Sequence, residues 1–207
     1  RLQLNITGFF NEYKDKQDSN IVQDADTNTV ATVWENQSSV KYKGIELETR
    51  FVVTENFDVF ATAGYLDAEY DEFFSLGHIP AEDLCECADD VPQDASFFDV
   101  KYAPEWTFGA GGTYSMPLGP GDLSVHAKWN YVTEQETDTF NDPGSRVPAM
   151  HWLTAQVAYE WDQFRITWFG ENLTNEEFET IGCLATLFCT GNIQQGFTWG
   201  AELEVTF

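Results

Sequence analysis

The last thirteen residues, Gln195 to Phe207, constrain this chain more than any other stretch. Phe197, Trp199, Ala201, Leu203, Val205 and Phe207 are apolar. Gly196, Thr198, Gly200, Glu202, Glu204 and Thr206 between them are small or polar. Successive side chains of a strand point to opposite faces, so this stretch makes a strand with one apolar and one wet face. Soluble sheets protect such an edge, because an uncovered apolar strand pairs with other chains. A barrel in a bilayer requires this pattern on every strand, apolar toward lipid and polar toward the interior.

The pattern recurs along the chain, and helical periodicity is nearly absent. Eight alternating stretches are expected, at about 2–13, 31–53, 57–71, 103–116, 123–133, 147–160, 163–172 and 195–207. Ile45, Leu47, Phe51 and Val53 oppose Glu46, Glu48 and Arg50. Leu123, Val125, Ala127, Trp129 and Tyr131 oppose Ser124, His126, Lys128 and Asn130. Phe164, Ile166 and Trp168 oppose Arg165, Thr167 and Glu171. Charged residues at mid-strand need water on one side, while the other side needs an apolar partner. The connections alternate between short and long. Thr54-Glu55-Asn56, Pro117–Asp122 and Trp161-Asp162 carry turn chemistry, whereas 14–29, 72–101, a stretch through Asp142-Pro143-Gly144, and 173–193 read as longer loops. Short turns at one end and long loops at the other fit a transmembrane antiparallel β-barrel, which leaves no backbone group unpaired in lipid. Phe57, Trp106, Tyr159 and Trp161 lie near strand ends, where aromatic girdles form.

Charge narrows the function. Lys and Arg number 10 against 35 Asp and Glu, a net charge of −25. Nucleic-acid binding needs a basic surface and is excluded as a general role; docking on an anionic leaflet is disfavoured for the same reason. No apolar run within these residues reaches the length of a transmembrane helix, and no signal peptide is expected among them. Arg1 already lies inside an alternating stretch with Leu2, Leu4, Ile6 and Phe10, so the chain is expected to be a piece of a longer protein.

Four places resemble the C-terminal part of the barrel of TonB-dependent outer-membrane receptors. Gly44-Ile-Glu-Leu-Glu48 is similar to a family stretch on a descending strand. Ala63-Gly-Tyr65 with Asp67-Ala-Glu-Tyr-Asp71 resembles the ascending strand that follows. Glu171-Asn-Leu-Thr-Asn175 resembles the motif of the penultimate strand. Gly200-Ala-Glu-Leu-Glu204 with the terminal Phe207 resembles the closing strand. Each motif is weak alone, but their order and spacing are specific, and they cover essentially the whole chain.

The resemblance implies a 22-strand barrel, of which residues 1–207 would be the last eight strands, occluded in the intact receptor by a plug domain. It implies energy-coupled import of a scarce small ligand such as a siderophore, cobalamin or a sugar, with the TonB complex engaging a region outside these residues. It places the protein in the bacterial outer membrane with its long loops extracellular. On that reading Glu46, Glu48, Arg50, Lys128, Arg165, Glu171, Glu202 and Glu204 face the lumen, and some of them touch the plug. Phe197, Trp199, Leu203, Val205 and Phe207 resemble the C-terminal signal read by the barrel-assembly machinery.

Cysteines occur as Cys85-Glu-Cys87 and Cys183…Cys189, both within expected outer loops, where an oxidising compartment favours disulfides. Cys183–Cys189 is the favoured pairing, closing a short loop between Gly182 and Gly191. Cys85 and Cys87 then form a local bridge, unless the two loops are cross-linked. A metal site at Cys85 and Cys87 is the weaker reading, since His78 is the only nearby histidine.

The acidic loop holds Glu72, Glu82, Asp83, Glu86, Asp89, Asp90, Asp94 and Asp99, but their spacing matches no calcium-loop template, and a solvated loop is expected. His126 falls on the polar register and His151 on the apolar one. Gly109-Ala-Gly-Gly112 precedes strand residues and is a small-residue strand, not a phosphate loop. No constellation supplies a nucleophile and base, so no enzyme, catalytic residue or cofactor is expected. The rival readings are a complete eight-stranded barrel with a structural or adhesive role and a secreted β-sandwich binding module.

Overall fold

The computed structural model describes all of the chain except residues 25–28, 76–92, 142–143, 178, 185–187 and 194. Its strands are β1 (Leu2–Asp24), β2 (Thr29–Thr54), β3 (Phe57–Ser75), β4 (Gln93–Asp94), β5 (Trp106–Leu118), β6 (Gly121–Val132), β7 (Gln135–Glu136), β8 (Arg146–Val147), β9 (Met150–Trp161), β10 (Phe164–Glu171), β11 (Glu179–Leu184), β12 (Phe188–Ile193) and β13 (Thr198–Val205). One antiparallel sheet runs β1-β2-β3-β5-β6-β9-β10-β13, with β4 attached to β3. The hairpins β7-β8 and β11-β12 stand outside it. The chain is all-β, and its eight long strands pair in chain order as a segment of a barrel wall. β1 and β13 are the two edges of the sheet.

Three two-residue turns close one end: Glu55-Asn56, Gly119-Pro120 and Asp162-Gln163. Gly119 and Asp162 take positive φ, 61° and 51°, which suits the tight hairpin turns of twisted strands. The long connections all lie at the opposite end.

Register separates two faces. Across β2 and β3, Ile45 pairs with Tyr65, Leu47 with Ala63 and Phe51 with Val59. Glu46 pairs with Gly64, Glu48 with Thr62 and Arg50 with Phe60. The apolar face continues through Phe108, Trp129, Leu153, Val157, Trp168 and Leu203, and much of it is exposed. In a bilayer that exposure is satisfied by lipid.

Two aromatic belts bound the face. Near the long loops, Trp106 stands 4.8 Å from Tyr65 and 5.7 Å from Phe108, and Tyr131 stands 6.1 Å from both Phe108 and Trp129. Near the short turns, Phe57 meets Tyr114 at 6.2 Å, and Trp161 meets Tyr159 at 5.3 Å and Phe164 at 5.4 Å. Phe57 and Tyr65 are eight residues apart on β3. That is about 26 Å along the strand, or about 20 Å along the membrane normal for a tilt near 40°, close to the apolar band of such barrels.

Above the upper belt the two faces exchange polarity. Lys43 and Lys41 continue the outward register of Ile45, and each pairs with an acid of β3: Lys43 with Asp67 (3.0 Å) and Glu69 (3.7 Å), Lys41 with Asp71. The register that carries Glu46 and Glu48 lower down turns apolar instead. Val40, Tyr70 and Phe73 pack there with Ala95, Phe98 and Val100, flanked by Tyr42, Ala68, Ala103 and Phe140. Val40, Phe73 and Ala95 are fully buried. This part of the chain builds a buried apolar core of its own.

The sequence expectations need three corrections. Residues 14–29 were expected as a loop, but β1 continues to Asp24 and pairs with β2 throughout, bulging between Tyr13 and Gln17. The 173–193 loop contains the β11-β12 hairpin. In the acidic connection, β3 runs on to Ser75, and residues 95–103 pack into the rim core. Cys85, Cys87, His78, Glu82, Asp83, Glu86, Asp89, Asp90 and the Asp142-Pro143 expectation lie outside the described residues.

Candidate functional site on the inner wall and rim

The polar face carries all eight charged residues singled out in the sequence. Glu46, Glu48 and Arg50 come from β2 and Lys128 from β6. Arg165 and Glu171 come from β10, and Glu202 and Glu204 from β13. Arg50 pairs with Asp58 at 3.3 Å and Arg165 approaches Glu160 at 4.0 Å. Glu204 stands opposite Arg165 in the register, Glu202 opposite Thr167 and Glu171 opposite Thr198. Asn5 Nδ2 donates to Glu48 at 3.4 Å. Lys128 lies between Gly111 and Thr154. These side chains are spread along the wall rather than gathered into one centre, and most are solvated, so each ion pair adds little to stability.

Phenylalanine rings shape the same wall. Phe9 pairs with Gly44, Phe60 with Gly111 and Phe169 with Gly200, each on the neighbouring strand. Each ring lies over its glycine, with Cζ 2.6 Å from where a Cβ would stand. A ring laid over a bare backbone restores apolar contact that glycine cannot make. His126 joins this surface, stacked on Phe60 at 6.1 Å with Nδ1 3.0 Å from Thr113 Oγ1.

At the rim, β7 and β8 form a clip around the half-exposed Arg146. Its Nε donates to Glu136 at 2.6 Å, NH1 to Glu134 at 3.3 Å and NH2 to Asp99 at 3.1 Å. The hydrogen bond to Glu136, then the charges of Glu136, Glu134 and Asp99, push the guanidinium further up from its ordinary value. Glu136 is buried and also accepts from Ser145 Oγ at 2.6 Å. The clip walls a cavity of about 550 Å³ with Leu66, Val100, Ala103, Tyr131 and Thr133.

The Glu171–Asn175 motif makes the second rim knot. Asn172 and Asn175 take left-handed φ, 49° and 51°. Asn172 is 8% exposed; its Nδ2 donates to the carbonyls of Glu176 (2.8 Å) and Gln195 (3.1 Å), and its Oδ1 accepts from Glu176 N (2.9 Å). Asn175 Oδ1 accepts from Phe197 N at 3.0 Å, which fixes the entry to β13. His151 Nδ1 meets Glu176 Oε1 at 2.8 Å. Below the knot, Trp152, Thr154, Glu171 and Thr198 line a second cavity of about 520 Å³ on the polar face.

Of the terminal residues, Trp199, Leu203 and Val205 continue the apolar face, paired with Gly170, Ile166 and Phe164. Phe197 precedes the strand, and Phe207 lies beyond it, fully exposed. Cys183 and Cys189 are directly opposed across β11-β12. Sequence reasoning missed the rim core and the clip. The core's signal was Val40, Tyr42, Ala68 and Tyr70 on the register that lower down carries Glu46 and Thr62.

Solved structures of similar fold are known. The ferric yersiniabactin uptake receptor FyuA of Yersinia pestis superposes with a TM-score of 0.75 at 16% identity, over 100% of this chain and 28% of its own. The siderophore receptor PiuA of Acinetobacter baumannii gives 0.64 at 19%, over 98% of this chain and 25% of its own. The copper transporter OprC gives 0.64 at 15%, over 100% and 29%. The chain thus spans less than a third of the length of each. Over residues 1–175 the sequence matches the family described as TonB dependent receptor-like, beta-barrel, and the chain belongs to that family.

Proposed function

We propose that this chain is the C-terminal wall of an outer-membrane barrel that imports a scarce ligand with TonB-coupled energy. The observation that carries the reading is the inner wall. Its carboxylates Glu46, Glu48, Glu171, Glu202 and Glu204 outnumber the cations Arg50, Lys128 and Arg165 beside them. A wall of this kind suits a hydrated, separable partner inside the barrel, because partly solvated charge pairs exchange with water at small cost. In the intact receptor that partner is a plug domain, and the remaining strands pair with β1 and β13. Lipid covers the apolar face. The long loops are extracellular, the barrel-assembly machinery reads the closing strand from Phe197 to Phe207, and TonB engages a region outside this chain. The solved structures named above are a ferric yersiniabactin uptake receptor, a siderophore receptor and a copper transporter, so an iron or copper complex is the first ligand class to test.

The test is uptake of iron-55 presented as ferric siderophores, and of copper, in cells with and without the encoding gene. Uptake that requires both the gene and an energised inner membrane is the expected result. Uptake that survives a protonophore, or is unchanged by deletion, overturns the reading. In the same cells, Glu46→Lys with Glu48→Lys is expected to lower uptake severalfold without lowering the amount of folded barrel.

A further inference from the structure

The geometry points to a disulfide between Cys183 and Cys189 that staples the β11-β12 hairpin. The six register pairs from Glu179–Ile193 to Leu184–Phe188 place these cysteines directly opposite one another, one pair from the hairpin tip. Directly opposed residues of an antiparallel pair have Cα atoms about 4.5–5.5 Å apart, inside the window a disulfide spans without moving the backbone. β11 and β12 pair only with each other among the described residues, and a lone two-stranded hairpin is marginal in water. A cross-link beside the turn supplies what the missing neighbour strands do not. β11 also lies against β8, so the staple holds the hairpin beside the Arg146 clip.

Formation is a thiol–disulfide exchange. The two thiols lose two protons and two electrons to the disulfide of a periplasmic thiol oxidase, which leaves as its dithiol. The inference uses only the placement of the hairpin outside the inner membrane, and it is independent of which ligand the receptor carries.

The experiment uses the intact receptor, alkylated under denaturing conditions without reductant and cut with chymotrypsin, which cleaves after Leu184 and Phe188 and so parts the two cysteines. Peptides holding Cys183 and Cys189 are expected to stay joined until reductant is added, and to stay joined in a Cys85→Ser, Cys87→Ser variant. Alkylated Cys183 or Cys189, or linkage of either to Cys85 or Cys87, overturns the proposal. As a second measurement, Cys183→Ala with Cys189→Ala is expected to speed amide exchange in β11 and β12 by about tenfold or more, with β9 and β10 unchanged. Unchanged exchange in the hairpin also overturns it.

Discussion

Phe169 lies directly opposite Gly200 on the polar face of the sheet, with its ring Cζ 2.6 Å from where a glycine Cβ would stand. Phe9 and Gly44 repeat the relationship at the other edge of the sheet. Both glycines open the same pattern, Gly44-Ile-Glu-Leu-Glu48 and Gly200-Ala-Glu-Leu-Glu204. The motif therefore has a packing reason. The glycine receives a ring from the strand before it, and the glutamates that follow lie on the same face of the sheet.

The two glycines differ in what a side chain would strike. At Gly200 every near atom belongs to the Phe169 ring, which can turn aside; at Gly44 the backbone carbonyl of Tyr65 is also in the way. Gly44→Ala is expected to reduce the yield of folded barrel several times more than Gly200→Ala, read as the heat-modifiable band on a cold gel. Equal yields would refute the argument. Phe9→Ala should not restore the yield of Gly44→Ala, because the carbonyl of Tyr65 still obstructs the added Cβ.

Asn172 separates backbone conformation from hydrogen bonding. Its side chain is bonded to Glu176 N and to the carbonyls of Glu176 and Gln195, and its φ is 49°. Asn172→Ala removes these bonds, at about 1–3 kcal/mol for a buried group left unpaired. It also leaves a Cβ in the left-handed region without the local side-chain bonds that let asparagine adopt it, at about 1–2 kcal/mol relative to glycine. Asn172→Gly loses only the bonds. Amide exchange at Glu176 should rise in both variants, with Gly the milder by about tenfold.

The rim core is expected to hold its loops as a fixed wall. Phe73 is fully buried and stacks on Tyr70 at 4.9 Å and Phe140 at 5.8 Å. Phe73→Ala should cost about 3–5 kcal/mol of local stability. Amides at residues 95–100 should exchange faster, while β5 and β6 at membrane level stay protected. Loss of protection across the whole sheet would show that the rim and the wall unfold as one unit.

The membrane-level wall was legible in the sequence because lipid on one side and water on the other impose strict alternation, as in Ile45-Glu46-Leu47-Glu48. Above Lys43 that constraint ends. β1 carries Lys14, Asp15, Lys16, Gln17 and Asp18 with no apolar face, and it is a strand because β2 pairs with it, which no pattern within β1 announces. The rim core is assembled from β2, β3 and residues 95–103 and 140, and only the fold brings these together. The acidic connection read as solvated, yet Asp99 and Asp94 each hold a fixed partner. The Glu171–Asn175 motif was recognisable, but its work as a knot depends on left-handed backbone and on Gln195, twenty residues past Asn175.

Acid should loosen the rim through Asp94. Hydrogen bonds from the Ser96 side chain, then the Ser96 backbone, hold its carboxyl below the ordinary carboxylate value. Ser96 N donates to Asp94 Oδ1 at 2.9 Å, and Ser96 Oγ accepts from Phe73 N at 2.8 Å. A carboxyl with a lowered folded pKa stabilises the fold above its ordinary pKa, and the contribution fades as pH falls through the ordinary value toward the lowered one. Amide exchange at Ser96 and Phe73, corrected for the intrinsic pH dependence of exchange, should therefore be constant near neutrality and rise below about pH 4. Ser96→Ala removes the side-chain donor, so the Asp94 pKa should move up toward its ordinary value. The Phe73 amide should then exchange faster even at neutral pH, because its acceptor is gone. A Phe73 amide equally protected in Ser96→Ala would show that the Asp94–Ser96–Phe73 chain does not hold the rim.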